Sequence, residues 1–465
     1  MAQSEREIMQ LGDDVQRYLA DQSAFENNGA SKSPAWLKDI RSAARGKFTQ
    51  TGFPTIKHED WRFTNISPIT KTSFHRVAEN DSKSVARTDL AKFIIPEASK
   101  SVLVFVNGHF RKDLSDMSAL PKSVSAGSLA EFAHLEEKVV RDRLNKEIPL
   151  NILPFAALNG AFLYDGAFVH VPEKIKTPSP IQLLYLSTED KDRRPVAYPR
   201  NLLLVDRGAS ATVVETYASL AEGVYFTNAV TEAFIEEESA VDYIKVQNES
   251  EKAYHVGTMQ VQQRSRSRFT AFSLALGSAI ARNDLNIVID GEQCETMLDG
   301  LYIPANDQLV DHHTFIDHTR PNCSSREIFK GIVAGNSRSV FNGKIFVRQA
   351  AQKTDSKQTN KNLLLSDAAI VDTKPQLEIF ADDVKCTHGA TVGGLDAASL
   401  FYVKSRGISE DAARALLTVG FAGEVTNYIN DEHLRKYVDS LVIERLREKV
   451  VKAALPEIVH SSSQE

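Results

Sequence analysis

The stretch from Leu202-Leu203-Leu204-Val205 to Val340-Phe341-Asn342-Gly343-Lys344-Ile345 decides the fold. Between these ends, short runs rich in Val, Ile, Leu, Phe and Thr begin near Val213, Val230, Val241, Val256, Phe269, Leu285, Thr296, Thr314 and Ile328. Gly, Asp, Asn and Ser separate them, as turns separate strands. Their mean step is about 14 residues, irregular but sustained, and helical periodicity is absent. Eleven or more short strands with no intervening helix predict a β-solenoid, a sandwich or a barrel. A sandwich of this size would normally show more hairpin turns of the Asn-Gly type, whereas Asn342-Gly343 is nearly alone here. The solenoid is therefore preferred: every coil buries its inward side chains against the next, and the ends need capping segments.

Working outward, the strand texture runs from about residue 160 to about residue 405. Upstream, Ile8, Leu11, Val15, Tyr18 and Leu19 recur at helical spacing. Pro34 opens a second periodic stretch through Trp36, Leu37, Ile40, Ala43, Ala44 and Phe48. Gly52-Phe53-Pro54 and His58-Glu59-Asp60-Trp61-Arg62-Phe63 then read as a turn and a polar-aromatic cluster that packs these helices onto the downstream part of the chain. Downstream, Ser409-Glu410-Asp411 is an N-cap with acidic residues in the first helical turn, where the helix dipole favours them. One face carries Ala413, Leu416, Leu417, Gly420, Phe421 and Val425; Asn430-Asp431 starts a second helix through Leu434, Val438, Leu441, Val442 and Leu446, ended by Pro456. The expected organisation is a mainly helical domain over 1–150, a β-helix core over 151–405 and a helical domain over 406–465, with a frayed tail at 461–465.

The chain has 465 residues, 61 acidic and 55 basic, for a formal charge of −6. That mild negative balance excludes a generally basic nucleic-acid binder. The longest apolar runs fall far short of the ~20 residues a bilayer needs. The first residues, Met1-Ala2-Gln3-Ser4-Glu5-Arg6-Glu7, are polar and lack the apolar core of a secretion signal, which predicts a cytoplasmic protein, or a stromal one if a leader has been removed. Three cysteines at wide spacing, Cys294, Cys323 and Cys386, build neither a disulfide framework nor a self-contained four-thiolate site.

Signatures of catalysis are missing. Gly335 with Gly343-Lys344-Ile345 fails the phosphate-binding loop pattern, and neither a dinucleotide turn, a nucleophile elbow nor a His-Glu-x-x-His run occurs. The densest polar cluster, Asp311-His312-His313-Thr314-Phe315-Ile316-Asp317-His318, splits its ligand types across both faces of a strand, and a structural ladder between coils is the preferred reading over a metal site. Cys386-Thr387-His388 is the better candidate, because residues i and i+2 on a strand project to the same side. A thiolate beside an imidazole is part of a site for iron or zinc, whose remaining ligands must come from another chain. The small residues Gly389-Ala390-Thr391-Val392-Gly393-Gly394 allow another backbone to come close. A core cysteine beside a satisfied histidine is the competing reading.

A long ordered series closely resembles the SufB/SufD family of iron–sulfur cluster assembly proteins: residues 360–366 from Asn360 to Ser366, Lys374-Pro375-Gln376-Leu377-Glu378-Ile379, residues 382–393 around Cys386 and His388, and Phe401-Tyr402-Val403-Lys404-Ser405-Arg406-Gly407. Residues 311–318, 330–333 and 340–345 also fit. The scarcity of cysteines and His388 in the Cys-x-His-Gly-Ala-Thr run resemble the SufD branch. The resemblance implies a right-handed parallel β-helix between helical ends, in a complex with a SufB paralogue and the SufC ATPase. It implies a scaffold subunit that is not itself an enzyme, a transient iron–sulfur cluster shared with SufB, and ATP entering only through SufC. His388, with Cys386 as the weaker ligand, would face SufB, and Leu416, Leu417, Gly420, Phe421 and Val425 would dock the ATPase. The rival readings are an exported-type carbohydrate-active β-helix enzyme, and a homodimer that serves as a plain ATPase adaptor.

Overall fold

The computed structural model describes residues 12–28, 30, 33–79, 85–188 and 193–450. Ile8, Leu11, Pro456 and the tail at 461–465 lie outside the described residues.

Two parallel sheets face each other, and successive strands alternate between them. One contains Phe226–Ile235, Tyr254–Gln263, Ile280–Ile289, Leu309–His318, Arg338–Val347 and Ile370–Ile379; the other contains Ser210–Ser219, Ala240–Asn248, Arg268–Ala275, Glu295–Tyr302, Ser324–Val333, Asp355–Leu364 and Lys385–Gly393. One strand in each sheet makes one coil, so the roughly 14-residue step is half a coil. The result is a parallel β-helix of about seven turns with helices at both ends. The core sits between the sheets. Strand alternation sends Val241, Tyr243, Phe269, Ala271, Leu298, Phe329 and Phe341 into it, each buried.

Asn342-Gly343 is no turn. It lies in the middle of Arg338–Val347, where a Cβ at 343 would overlap the Gln358 amide. Glycine here makes room for a side chain from the opposite sheet. Pro375 sits in Ile370–Ile379, which among the described residues pairs only with Arg338–Val347 and so tolerates a missing donor.

At the first end, helices Asp13–Asn28 and Ala35–Thr51 form, and Val102–Val106 and Ser125–Ser128 extend the two sheets within the region expected to be mainly helical. Residues 56–64 then lie across the outer face of the first sheet. Trp61 is buried, with the Arg282 guanidinium 3.7 Å above its ring, and Thr64 donates to Asp311 at 2.6 Å. Packing is thus the role of the polar-aromatic cluster.

At the other end the strand texture stops at Gly393, not at residue 405. Ala397–Ser405 is a helix, because Asp396 caps it through Ser399 N at 2.7 Å. Phe401, Tyr402 and Val403 favour strands by propensity, and the cap overrides that preference. The hairpin follows as Glu410–Thr426, capped by Ser409, and Glu432–Arg445, capped by Asp431. Its packing divides the expected helix face, burying Ala413 and Val425. Ala415, Ala422 and Val425 turn inward onto Ile244, Phe272, Leu274 and Leu301 of the second sheet, whereas Leu416 is 47% exposed and Gly420 is exposed.

Lys330 ties the hairpin down. Its buried side chain reaches Phe421 O at 2.8 Å and Glu424 at 2.6 Å, 3.9 Å from the Phe421 ring. Lys330→Met is expected to loosen this contact by about 1–2 kcal/mol, discounted because Glu424 is largely exposed. Faster hydrogen exchange confined to 410–445 is the expected readout; unchanged protection there would show that the apolar face alone holds the hairpin.

Candidate functional site

The last coil carries the site. Lys385–Gly393 pairs with Asp355–Leu364 along one edge, and among the described residues its other edge is unpaired. Register places Cys386 beside Ser356, His388 beside Gln358, Ala390 beside Asn360 and Val392 beside Asn362. All four partners are buried, so Cys386 and His388 belong to the inward parity of the solenoid. The expected common side is thus observed.

Their environments differ. Cys386 is half-buried against Ile345, Val347, Ala351 and Ala381, and burial pushes its thiol up. His388 is exposed, since no described coil covers it. A Cβ placed at Gly389 or Gly393 would meet open space, so this surface is free for another chain to approach.

One column of side chains leads through the core to His388: Val213, Tyr243, Ala271, Leu298, Glu327, Gln358 and His388 are register partners in turn. Its first four members are mainly apolar and its last three are polar. Gln358 Nε2 donates to Glu327 at 2.7 Å, while Gln358 Oε1 is buried without a hydrogen-bond partner among the described residues. Burial pushes the Glu327 carboxyl up to about 7, with the Gln358 hydrogen bond opposing. The sequence reading missed Glu327 and Gln358, because a buried polar column is visible only once the coil register is known.

The second element is a groove of about 600 Å³ between the end of this strand and the hairpin. Asn362, Thr391, Val392 and Asp396 line one wall, and Leu416, Leu417, Gly420, Phe421 and Glu424 the other. Four of the five expected docking residues therefore face one space, and Val425 does not, being fully buried on the solenoid.

The 311–318 cluster is a ladder. His312 points inward, stacked 5.3 Å from Tyr302, and burial lowers it to about 3; His318 accepts or donates at Ser325 at 2.9 Å. Outward, Asp311 pairs with Arg282 at 2.8 Å and His313 at 3.1 Å, and Asp317 with Arg348 at 2.6 Å. Among the described residues no three His, Cys, Asp or Glu side chains are grouped to hold a metal ion. No described helix is long and apolar enough to cross a membrane.

These features define a class: a parallel β-solenoid with helical ends whose open terminal coil displays a thiol and an imidazole. Residues 186–421 match the family described as SUF system FeS cluster assembly, SufBD core domain, and residues 14–183 match the SufBD protein N-terminal region. The chain belongs to the SufBD family of iron–sulfur cluster assembly proteins and is of the SufD type. An iron–sulfur cluster assembly SufBD family protein of Synechocystis is 35% identical over 401 residues, covering 84% of this chain and 87% of the relative. Iron–sulfur cluster assembly protein SufD of Escherichia coli is 30% identical over 423 residues, covering 91% and 95%. The chloroplastic protein ABCI7 of Arabidopsis thaliana is 29% identical over 423 residues, covering 90% and 88%.

Proposed function

We propose that this chain is a scaffold subunit that pairs end to end with a SufB paralogue through its last coil and carries no catalysis of its own. The observation that supports this most is the open edge of Lys385–Gly393, with His388 exposed at the end of a polar interior column. An unpaired strand edge offers a row of backbone donors and acceptors to a second sheet. His388 then supplies an imidazole to a nascent iron–sulfur cluster whose other ligands come from SufB, with Cys386 as the weaker, half-buried contributor. The cluster is cargo, held until it is passed on.

The groove lined by Leu416, Leu417, Gly420 and Phe421 takes the SufC ATPase in the same reading, and ATP enters only through SufC. The location is the cytoplasm, or the stroma in a plastid. The carbohydrate-enzyme reading is not favoured: on the outer face of the first sheet Asp284 and Asp311 pair with Arg282, Asp372 with Arg338, Glu378 with Lys344 and Glu59 with Lys374, so these carboxylates are committed to ion pairs. A homodimer acting as a plain adaptor stays as an outcome of the test.

The test is anaerobic co-expression with SufB and SufC, with native mass, iron and sulfide read from one sample. His388→Ala is expected to lower iron and sulfide together, on the order of tenfold in affinity, while subunit ratios hold. Normal loading would sink the ligand role. Phe421→Asp is expected to release SufC from a folded chain, and a complex that ignores this change would remove the groove from the reading.

A further inference from the structure

Cys294 and Cys323, widely spaced in sequence, occupy one position in two successive coils. Glu295 pairs with Ser324, and Ser324 N donates to Cys294 O at 2.9 Å, so the two cysteines are neighbours one register step earlier. In-register neighbours on adjacent strands stand about 4.8 Å apart. That lies within the Cα separation a disulfide spans.

The same position recurs through five coils as Ser239, Ser267, Cys294, Cys323 and Thr354, each following a residue of positive φ: Glu238, Arg266, Gln293, Asn322 and Lys353. Four of the five bond back to the carbonyl three residues earlier: Ser239 to Glu236 at 2.6 Å, Ser267 to Arg264 at 2.6 Å, Cys294 to Gly291 at 3.4 Å and Thr354 to Ala351 at 2.8 Å. Cys323 departs from the pattern. Its sulfur lies 3.1 Å from Gly291 O in the preceding coil and 3.4 Å from Pro321 O. Both sulfurs thus lie against the Gly291 carbonyl, and Cys294 also reaches Arg264 O at 3.0 Å. The neighbouring thiol lowers Cys294 and raises Cys323. Both are buried, and the residues just before them, Gln293 and Asn322, are exposed.

We propose that Cys294 and Cys323 are a redox-active dithiol that closes, under a peroxide, into a disulfide rung between two coils of the solenoid. The Cys294 thiolate attacks one peroxide oxygen; an S–O bond forms, the O–O bond breaks and hydroxide leaves. Cys323, giving up its proton, then attacks the Cys294 sulfur; the S–S bond forms and the S–O bond breaks. Two thiols are oxidised and one hydrogen peroxide is reduced to two waters. The rung ties the coil beginning at Glu295 to the coil beginning at Ser324, and a dithiol reductant reopens it.

The test uses the full folded chain with hydrogen peroxide, followed by quenching, denaturing alkylation, intact mass and peptide mapping. The expected result is a loss of about 2 Da, a fall in alkylated thiols from three to one, and a cross-linked peptide pair holding Cys294 and Cys323, all reversed by dithiothreitol. Cys294→Ser and Cys323→Ser abolish the cross-link; serine and threonine already fill this position in neighbouring coils, so both variants fold. Cys386→Ser keeps the cross-link. Three alkylatable thiols after peroxide, or separate over-oxidation of each sulfur, overturns the proposal.

Discussion

Arg282→Met is expected to destabilise the protein by about 3–5 kcal/mol, the range for removing one partner from a buried ion pair. The side chain of Arg282 is 3% exposed and lies 2.8 Å from both Asp284 and Asp311, which are themselves buried. It also donates to Asp60 O at 2.6 Å and covers the Trp61 ring. Methionine matches the stem and loses the charge, leaving two carboxylates in a site that burial makes hostile to them. Because Asp60 and Trp61 belong to the 56–64 segment, the loss includes its attachment to the solenoid. Urea unfolding at neutral pH measures the energy, and hydrogen exchange over 56–64 locates it. Asp311→Asn in the Arg282→Met background is expected to recover part of the loss, since one stranded charge is gone. A single-variant loss below about 1 kcal/mol would mean that the carboxylates find water or each other, and that the strap is held by Trp61 and its aromatic neighbours.

Why this network escaped the sequence is plain from its spacing. Asp60 and Arg282 are brought together by the way a strap crosses a sheet, and no local period encodes that. What is encoded locally was legible: short β-branched runs with few Asn-Gly turns imply coils, and parity along 311–318 separates the inward His312 and His318 from the outward Asp311, His313 and Asp317. Cys386 and His388 share a side for the same reason. The two sides of the hairpin were not separable in the sequence, because Leu416 and Gly420 share a helical stripe with the buried Ala413, whereas the small side chains of Ala415 and Ala422 permit the closest approach to the sheet. Alanine carries little hydrophobic signal and much packing value. The Cys294–Cys323 stack was invisible for a different reason: coil length varies, so a pair one coil apart has no fixed spacing to search for.

Two buried groups set opposite limbs of the stability–pH curve, and single substitutions separate them. Glu327 is pushed up to about 7 by burial, so the folded chain holds its proton where the unfolded chain has already lost it. Stability from this group is highest below about pH 4.5 and falls as pH rises to about 7, by up to roughly 3 kcal/mol at about 1.4 kcal/mol per unit. Glutamine preserves the acceptor for Gln358 and cannot ionise. Glu327→Gln is therefore expected to match the wild type near pH 4.5 and to exceed it by about 2–3 kcal/mol at pH 8. His312 works in the other direction. Burial between Tyr302 and Phe329 lowers it to about 3, so as pH falls below about 6.5 the unfolded chain takes a proton that the folded chain refuses. Stability drains away between about 6.5 and 3, and His312→Phe, which keeps an aromatic ring in the stack, is expected to flatten that limb by several kcal/mol. Urea unfolding from pH 4 to 8, followed by Trp36 and Trp61 fluorescence, reads both differences. Curves that stay parallel to the wild type across the range would place the pH dependence in other carboxylates and histidines. Divergence at high pH for one variant and at low pH for the other assigns each limb to its residue, and shows that the polar column leading to His388 is maintained at a measurable thermodynamic cost.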